Sequence, residues 1–272
     1  MWGKINKFVD HHVVLAAFLL GILFMAVLLP MGMVVLQLPP NMGVTVFTAC
    51  QLALSLATVL LMKKLHIFER SDFKFKNMGK GLLLGWVFIA MALVNFVLTL
   101  MRVPEEAVVT PHPLMLLIVV LHPFIGTGLF EEVLFRGLIL KLLHKKMGQT
   151  KKGMSYVCIL SSVIFGVAHF VNLIHADALP VVSQVIYATA TGILFAALYL
   201  RTKTLWVPIL LHGLVNLSSQ IFNAFIDFDM LPQSYEVPTD VVSLIINTVL
   251  IVTPCVIAGF VLLKKAETAP AE

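Results

Sequence analysis

The sequence has few charged residues: Asp, Glu, Lys and Arg make up 12% of its 272 residues, whereas ordinary soluble domains contain roughly 25%. This scarcity excludes an ordinary soluble domain. Hydrophobic residues make up 60% of the sequence, and the mean hydropathy is +0.99. We therefore predict a protein embedded in a lipid bilayer. Its net charge of +5 fits basic loops beside anionic lipids, so we predict no nucleic-acid partner.

Several patterns of residues that carry chemistry are also missing. The three cysteines, Cys50, Cys158 and Cys255, have no paired spacing, which argues against a disulfide framework and a zinc knuckle. The zinc-protease pattern His-Glu-x-x-His and the serine-hydrolase pattern Gly-x-Ser-x-Gly do not occur. A transporter is not favoured, because the sequence shows neither an internal inverted repeat nor a pair of broken helices.

Eight apolar stretches are long enough to cross the roughly 30 Å hydrocarbon core of a bilayer as helices. They predict an all-α, polytopic membrane protein with about eight transmembrane helices. Lys and Arg concentrate in cytoplasmic loops of such proteins. With the N-terminus inside, all basic residues except Arg102 and Arg136 fall in inner segments, so we predict that both termini are cytoplasmic and that the protein lies in the cell membrane. The predicted spans are residues 12–37, 42–62, 81–101, 114–140, 155–174, 181–200, 205–226 and 241–263.

No long linker divides the chain, so we predict that residues 1–272 form a single integral membrane domain. Most ionisable residues within the predicted spans lie between Glu131 and His212, which places the functional core at approximately residues 114–220. The predicted outer loops collect acidic side chains: Glu105, Glu106, Asp177, Asp227, Asp229, Glu236 and Asp240.

The first motif of the core is Glu131-Glu132-x-x-x-Arg136. A charged side chain at mid-bilayer costs roughly 2.5 to 3.5 kcal/mol on insertion scales, so such residues usually face a protein interior or a wet cavity. Glu132 precedes Arg136 by four residues, which is the spacing of an ion pair on one helix face. Glu131 is then left without a local partner and suits a general base. The alternative is that all three side chains form a purely structural ion-pair cluster.

Two further motifs pair side chains at the same four-residue spacing. Phe165-x-x-x-His169 presents an imidazole that can orient a water or bind a metal, or that is simply a hydrogen-bonded core residue. His212-x-x-x-Asn216 presents a ring N–H and a carboxamide. These two donors suit a developing oxyanion, or else hydrogen bonds between helices. We favour a catalytic centre because the three motifs together supply a base, a water-positioning group and oxyanion donors.

At these three motifs the chain resembles the CPBP family of intramembrane proteases, named for CAAX proteases and bacteriocin-processing proteins and also called the Abi family. The motifs match in the family's order and lie within roughly residues 114–220. The resemblance implies eight helices around a catalytic cavity. It also implies that Glu131 and His169 activate a water while His212 and Asn216 stabilise the tetrahedral intermediate. Supporting roles fall to Glu132, Arg136 and Phe165.

The resemblance predicts an intramembrane endopeptidase that acts on a membrane-associated or lipid-anchored peptide, such as a CAAX-type protein or a bacteriocin or pheromone precursor. The alternative function is a non-catalytic bacteriocin-immunity or scaffolding protein with the same fold. We expect no required cofactor, because Asn216 beside His212 resembles a hydrogen-bond donor more than a ligand. Zinc is the alternative, held by Glu131, His169 and His212 with one open coordination position.

Overall fold

The computed structural model describes residues 2–35, 37–101, 103, 113–174, 176–225 and 241–268. Within these residues the chain forms helices and connecting turns and contains no strand, which confirms the all-α prediction for the part described. Among the predicted outer-loop acids, only Asp177 lies within the described residues, and Arg102 also lies outside them.

The described part contains ten main helices, which we number in chain order. Five of them, α2, α3, α6, α7 and α8, are long and apolar enough to cross a membrane. Helices α4 and α5 meet at a bend of 65° and make a sixth candidate span if they are counted together. The chain is therefore a multi-pass membrane protein. The helices are α1 (Trp2–His11), α2 (Val13–Val35), α3 (Pro40–Lys64), α4 (Met78–Leu84), α5 (Trp86–Leu100), α6 (Pro113–Met147), α7 (Lys151–Ala168), α8 (Ala178–Thr202), α9 (Trp206–Gln220) and α10 (Val241–Lys264).

One of the predicted spans holds a helix that is too short to pass as a membrane span. Helix α9 has 15 residues and continues as the short 3₁₀ turn Ile221–Ala224, where the sequence predicted a span over residues 205–226. Helix α10 has 24 residues, and it contains the shorter apolar helix Thr248–Lys264. Each of the eight predicted spans contains a helix, but helix length supports five to six crossings in the described residues.

Contacts between neighbouring helices define their relative directions. Gly126 of α6 packs against Gln51 of α3, and Gly137 packs against Met62. From the first contact to the second, the residue number rises in both helices, so α3 and α6 are parallel. The bent pair α4–α5 lies between them in sequence and must reverse the chain direction, as one bent span does.

Helices α8 and α10 are parallel for the same reason. The hydroxyl oxygens of Ser183 and Thr248 are 2.5 Å apart, and Gly259 packs against Ile193 further along both helices. The short helix α9 lies between them in sequence and therefore runs in the opposite direction.

Asp72, a buried residue after α3, bonds to α6 and α8 through its carboxylate and to the start of α9 through its backbone carbonyl. Lys141 of α6 places its Nζ atom 2.9 Å from Oδ2 of Asp72, and the Tyr199 hydroxyl of α8 donates to Oδ1 across 2.6 Å. The backbone N–H of Leu205, just before α9, donates to the Asp72 carbonyl at 2.8 Å. These bonds fix the start of α9, and therefore His212, relative to α6 and α8.

Candidate active site

Helix α6 changes its winding around the two adjacent glutamates. The four-residue α-helical segment Leu129–Glu132 lies between the π-helical segments His122–Gly128 and Val133–Leu140. Such π turns are rare within α-helices and often occur at functional sites. Pro123, at the start of the first π segment, has no backbone N–H to donate to a regular helix. The sequence predicted a span over residues 114–140, and both π segments lie within it.

Glu132 and Arg136 form the ion pair that their spacing predicted. Arg136 Nη1 donates to Glu132 Oε1 at 2.8 Å, and the exposed fractions of the two side chains are 2% and 0%. Arg136 also donates through Nη2 to the backbone carbonyl of Gly192 at 3.4 Å. Because both charges are out of contact with solvent, each depends on the other to stay buried.

His212 brings helix α9 to the same carboxylate. Its Nδ1 atom lies 2.8 Å from Glu132 Oε1, the oxygen that also accepts from Arg136. An ionised carboxylate can only accept, so we assign the Nδ1 proton to His212. This tautomer leaves Nε2 as the second functional atom of the ring, turned towards the other glutamate.

Glu131 faces this second nitrogen. Its Oε2 atom is 3.8 Å from His212 Nε2, which is too long for a direct hydrogen bond. Oε2 is buried and has no hydrogen-bond partner among the described residues. An oxygen atom about 2.8 Å from each group would fit this separation. The two glutamates therefore face the two nitrogens of one imidazole, and only Glu131 lies beyond direct hydrogen-bond distance of it.

Phe165 connects three of the predicted site residues. Its ring centroid lies 4.4 Å from Arg136 Cζ, a distance typical of cation–π contacts. The same ring meets His169 edge-on, with centroids 4.9 Å apart, and meets His212 edge-on at 6.2 Å. Phe165 thus separates the two histidines and covers the buried guanidinium.

His169 lies at the point where α7 ends. Its Nδ1–H donates to the Phe165 carbonyl at 2.9 Å, and the 3₁₀ turn His169–Ile174 begins at this residue. The contact fixes the imidazole ring at the helix end and leaves its Nε2 atom for another partner. Asn216 lies one turn after His212 on α9 and is half-buried. The predicted roles of His169 and Asn216 in the reaction stay predictions.

Phe195 of α8 is a residue of the site that the sequence did not indicate. Its ring stacks on His212, with centroids 5.5 Å apart and planes inclined by 21°. Arg136 Cζ lies 5.2 Å from the same ring. A phenylalanine in an apolar span carries no signal of its own, since only the fold shows that it contacts two polar residues.

A second polar cluster, which the sequence did not single out, lies between α3 and the first π segment of α6. His122 Nδ1 is 2.8 Å from Thr48 Oγ1, and its Nε2 is 3.4 Å from Thr127 Oγ1. Gln51 Nε2 donates to Thr127 Oγ1 at 3.3 Å. The helical spacing of Thr48, Gln51, Ser55 and Thr58 along α3 is the sequence signal that could have predicted this polar face.

The zinc alternative requires three ligands that converge on one point. Among the described residues, no group of three His, Cys, Asp or Glu side chains lies close enough to hold a metal ion. Glu131, His169 and His212 therefore do not fit a three-ligand site in this arrangement, and we derive no step through a metal.

This cluster of two carboxylates, a guanidinium and an imidazole lies within one stretch of chain that has known relatives. Residues 113–218 match the family described as type II CAAX prenyl endopeptidase, Rce1-like. This Rce1-like segment contains all three motifs, and the predicted resemblance is confirmed for it.

The chain also resembles a curated bacterial protein. Over 100 residues the chain is 35% identical to a Bacillus subtilis (strain 168) protein named "Putative membrane peptidase YdiL". The alignment covers 37% of this chain and 34% of that protein, so the chain spans about a third of the relative's length. No solved structure matches the chain.

Proposed function

We propose that this protein is an intramembrane endopeptidase whose attacking water is activated by Glu131. The observation that carries the proposal is the pair Glu131 Oε2 and His212 Nε2, 3.8 Å apart, in a helical bundle that belongs in a membrane. The Rce1-like match of the same segment supports peptide-bond hydrolysis as the reaction.

The tautomer of His212 suggests how the water is held. With the proton on Nδ1, Nε2 accepts a hydrogen bond, and ionised Glu131 accepts another. We therefore propose that His212 holds the water, instead of donating to the oxyanion as the sequence predicted. A water between them donates both protons, so its lone pairs point away from the two bases and towards a substrate carbonyl. As the oxygen attacks the carbonyl carbon, one proton passes to Glu131.

Glu131 then returns this proton to the leaving amine when the C–N bond breaks. One O–H bond is lost, one C–O bond forms, and the nitrogen gains the proton, so the hydrolysis balances. We propose that the side-chain amide N–H of Asn216 donates a hydrogen bond to the oxyanion of the tetrahedral intermediate. This hydrogen bond strengthens in the transition state. His169, through its second nitrogen, orients the water or the substrate from the other side of Phe165.

The proposed topology has eight crossings with both termini on the cytoplasmic side of the cell membrane. Its support is the parallel arrangement of α3 with α6 and of α8 with α10, which an alternating path of eight helices requires. In this topology, Lys141, Lys145 and Lys146 at the end of α6 face the cytoplasm, as positively charged loops usually do.

We propose a membrane-associated or lipid-anchored peptide as the substrate, with a CAAX-type protein, a bacteriocin precursor and a pheromone precursor as the candidates. Glu131 and Glu132 lie within an apolar helix, so a substrate must present its scissile bond inside the bilayer or at its edge. A lipid anchor or an apolar segment places it there.

The test is a comparison of peptides and new protein termini by mass spectrometry in cells that express the wild type or Glu131→Gln at equal levels. A farnesylated CAAX peptide, incubated with each protein in proteoliposomes, is the direct assay. Glu267→Gln, an exposed glutamate outside the matched segment, serves as the control. Products that need Glu131 but not Glu267 support the proposal. Identical termini, together with a phenotype retained by Glu131→Gln, would favour the immunity or scaffolding role.

A further inference from the structure

Phe195 belongs to none of the three motifs, but its ring contacts Arg136 and His212, which do. It is a buried residue of α8, 2% exposed, and it lies one turn after Gly192, whose carbonyl accepts from Arg136. The same turn of α8 therefore contacts the guanidinium twice, once through a backbone oxygen and once through an aromatic ring.

The ring of Phe195 contacts both donors of one carboxylate oxygen. Arg136 and His212 each place a nitrogen 2.8 Å from Glu132 Oε1. Phe195 lies 5.2 Å from the guanidinium carbon and 5.5 Å from the imidazole centroid. Phe88 of α5 also stacks on Phe195, with ring centroids 4.4 Å apart and planes inclined by 23°.

We propose that Phe195 is a positioning residue that holds the imidazole plane of His212 so that Nδ1 faces Glu132 and Nε2 faces Glu131. The proposal rests on the proposed peptidase function. A histidine ring turns easily about its last side-chain torsion, and a single hydrogen bond leaves rotation about that bond free. Stacking against a flat ring restricts this rotation, because a tilted imidazole would lose its contact.

The aromatic face has a second effect on the reaction. Arg136 is a buried cation, and a ring face attracts cations through its quadrupole. Phe165 at 4.4 Å and Phe195 at 5.2 Å both lie near the guanidinium, so the arginine stays in place while it donates to Glu132. With Arg136 fixed, Oε1 of Glu132 stays where His212 needs its acceptor.

A merely structural phenylalanine would behave differently from a positioning one. Phe88 is the matched control because it is buried, belongs to the same stack and, within the described residues, makes no ring or hydrogen-bond contact with Arg136 or His212. Phe88→Leu and Phe195→Leu each remove one phenyl ring from the same stacked pair. Only the second removes the surface on which the imidazole lies, and Phe195→Tyr keeps that surface.

The first readout is kinetic and uses the full-length protein in proteoliposomes with the farnesylated CAAX peptide as the probe. We expect Phe195→Leu to lower kcat on the order of 10- to 100-fold, the size of effect that a misplaced catalytic group produces, with KM within about twofold. Phe195→Tyr should retain most of kcat, and Phe88→Leu should change kcat little. Equal losses of kcat in Phe88→Leu and Phe195→Leu would overturn the proposal.

The second readout does not depend on cleavage. Solid-state NMR of protein labelled with ¹⁵N-histidine reports the tautomer of each imidazole, and His212→Gln identifies the His212 signals. We expect one Nδ1-protonated, hydrogen-bonded state in the wild type and in Phe88→Leu, and a mixture of tautomers in Phe195→Leu. An unchanged His212 spectrum in Phe195→Leu would refute the positioning role. If the wild type cleaves nothing, the peptidase proposal fails, while this spectrum still decides whether Phe195 orients His212.

Discussion

His212 donates from Nδ1 to Glu132 Oε1 across 2.8 Å, although the two residues are 80 positions apart in the chain. The bond joins α9 to α6 at the depth where Arg136 already binds the same oxygen. Glu132 therefore has two partners and Glu131 has none in direct hydrogen-bond range. From this difference we propose different tasks for two neighbouring residues of identical chemistry.

Replacement of Glu132 should damage the fold, whereas replacement of Glu131 should not. Glu132→Gln leaves Arg136 buried without a counter-charge, and breaking a buried ion pair typically removes about 3 to 5 kcal/mol of stability. Glu131→Gln removes a carboxylate oxygen that has no hydrogen-bond partner. We expect a much lower unfolding midpoint for Glu132→Gln in detergent and a near-normal one for Glu131→Gln.

The cleavage assay completes this comparison. Both variants should be inactive, but only Glu131→Gln should be inactive and fully folded. A Glu132→Gln protein that melts with the wild type would show that Arg136 finds another partner, and the ion pair would then not be needed for the fold.

The sequence predicted the local part of this site correctly. Glu132 and Arg136 are four residues apart, so their pairing follows from helix geometry alone. The bond between His212 and Glu132 depends on how α9 packs on α6, and no spacing in the sequence contains that information. Phe195 was missed for the same reason, because its contacts with His212 and Arg136 are also between helices.

The sequence also predicted the fold only in part. Hydropathy located a helix within each predicted span because apolar composition is a local property. It did not reveal the π segments of α6 or the 65° bend between α4 and α5. Both depend on how a helix packs against its neighbours. Helix α9 is short because the chain changes from an α-helix to a 3₁₀ turn at Ile221. Hydropathy does not indicate this change, because the sequence remains apolar there.

Arg136→Lys should be poorly tolerated although it keeps the charge. The guanidinium is planar and donates through two nitrogens, to Glu132 and to Gly192, while its faces lie near aromatic rings. An ammonium is a compact, strongly hydrated charge that cannot reproduce this arrangement. We expect a loss of about 2 kcal/mol, the scale of a desolvated cation–π contact, measured as a lower midpoint of chemical unfolding. A midpoint equal to that of the wild type would show that charge alone is sufficient.

Gly166→Ala should disturb the contact of α7 with α8. A Cβ atom at Gly166 would lie 2.0 Å from Thr189 Oγ1 and 2.7 Å from the Val185 carbonyl oxygen. The threonine can rotate away but the backbone oxygen cannot, so the helices must separate, at about 1 to 3 kcal/mol for an overpacked interior. Gly32→Ala is the control, because nothing lies within 4 Å of its added methyl group. Thermal unfolding should separate the two variants, and equal midpoints would contradict the close packing.

Cysteine labelling should place the two ends of α7 on opposite sides of the membrane. In a variant whose Cys50, Cys158 and Cys255 are replaced by Ala, we expect Lys152→Cys to react with an impermeant maleimide only after the cells are opened. Asp177→Cys should react in intact cells. Both positions are exposed in the structure, so accessibility depends on sidedness. Reaction of both residues from the same side would refute the proposed topology.

Chelation should leave the proposed activity intact. The proposed mechanism uses Glu131 and His212 to polarise water directly. A zinc site built from Glu131, His169 and His212 would need these side chains to turn towards a common point, because no three such groups converge among the described residues. We therefore expect cleavage of the farnesylated CAAX peptide to continue in 1,10-phenanthroline. Elemental analysis should find less than a stoichiometric amount of metal relative to the protein. The control is an incubation with the non-chelating isomer 1,7-phenanthroline. Activity that is lost only with the chelating isomer and restored by added zinc would show that the reaction needs a metal and would overturn the proposed metal-independent mechanism.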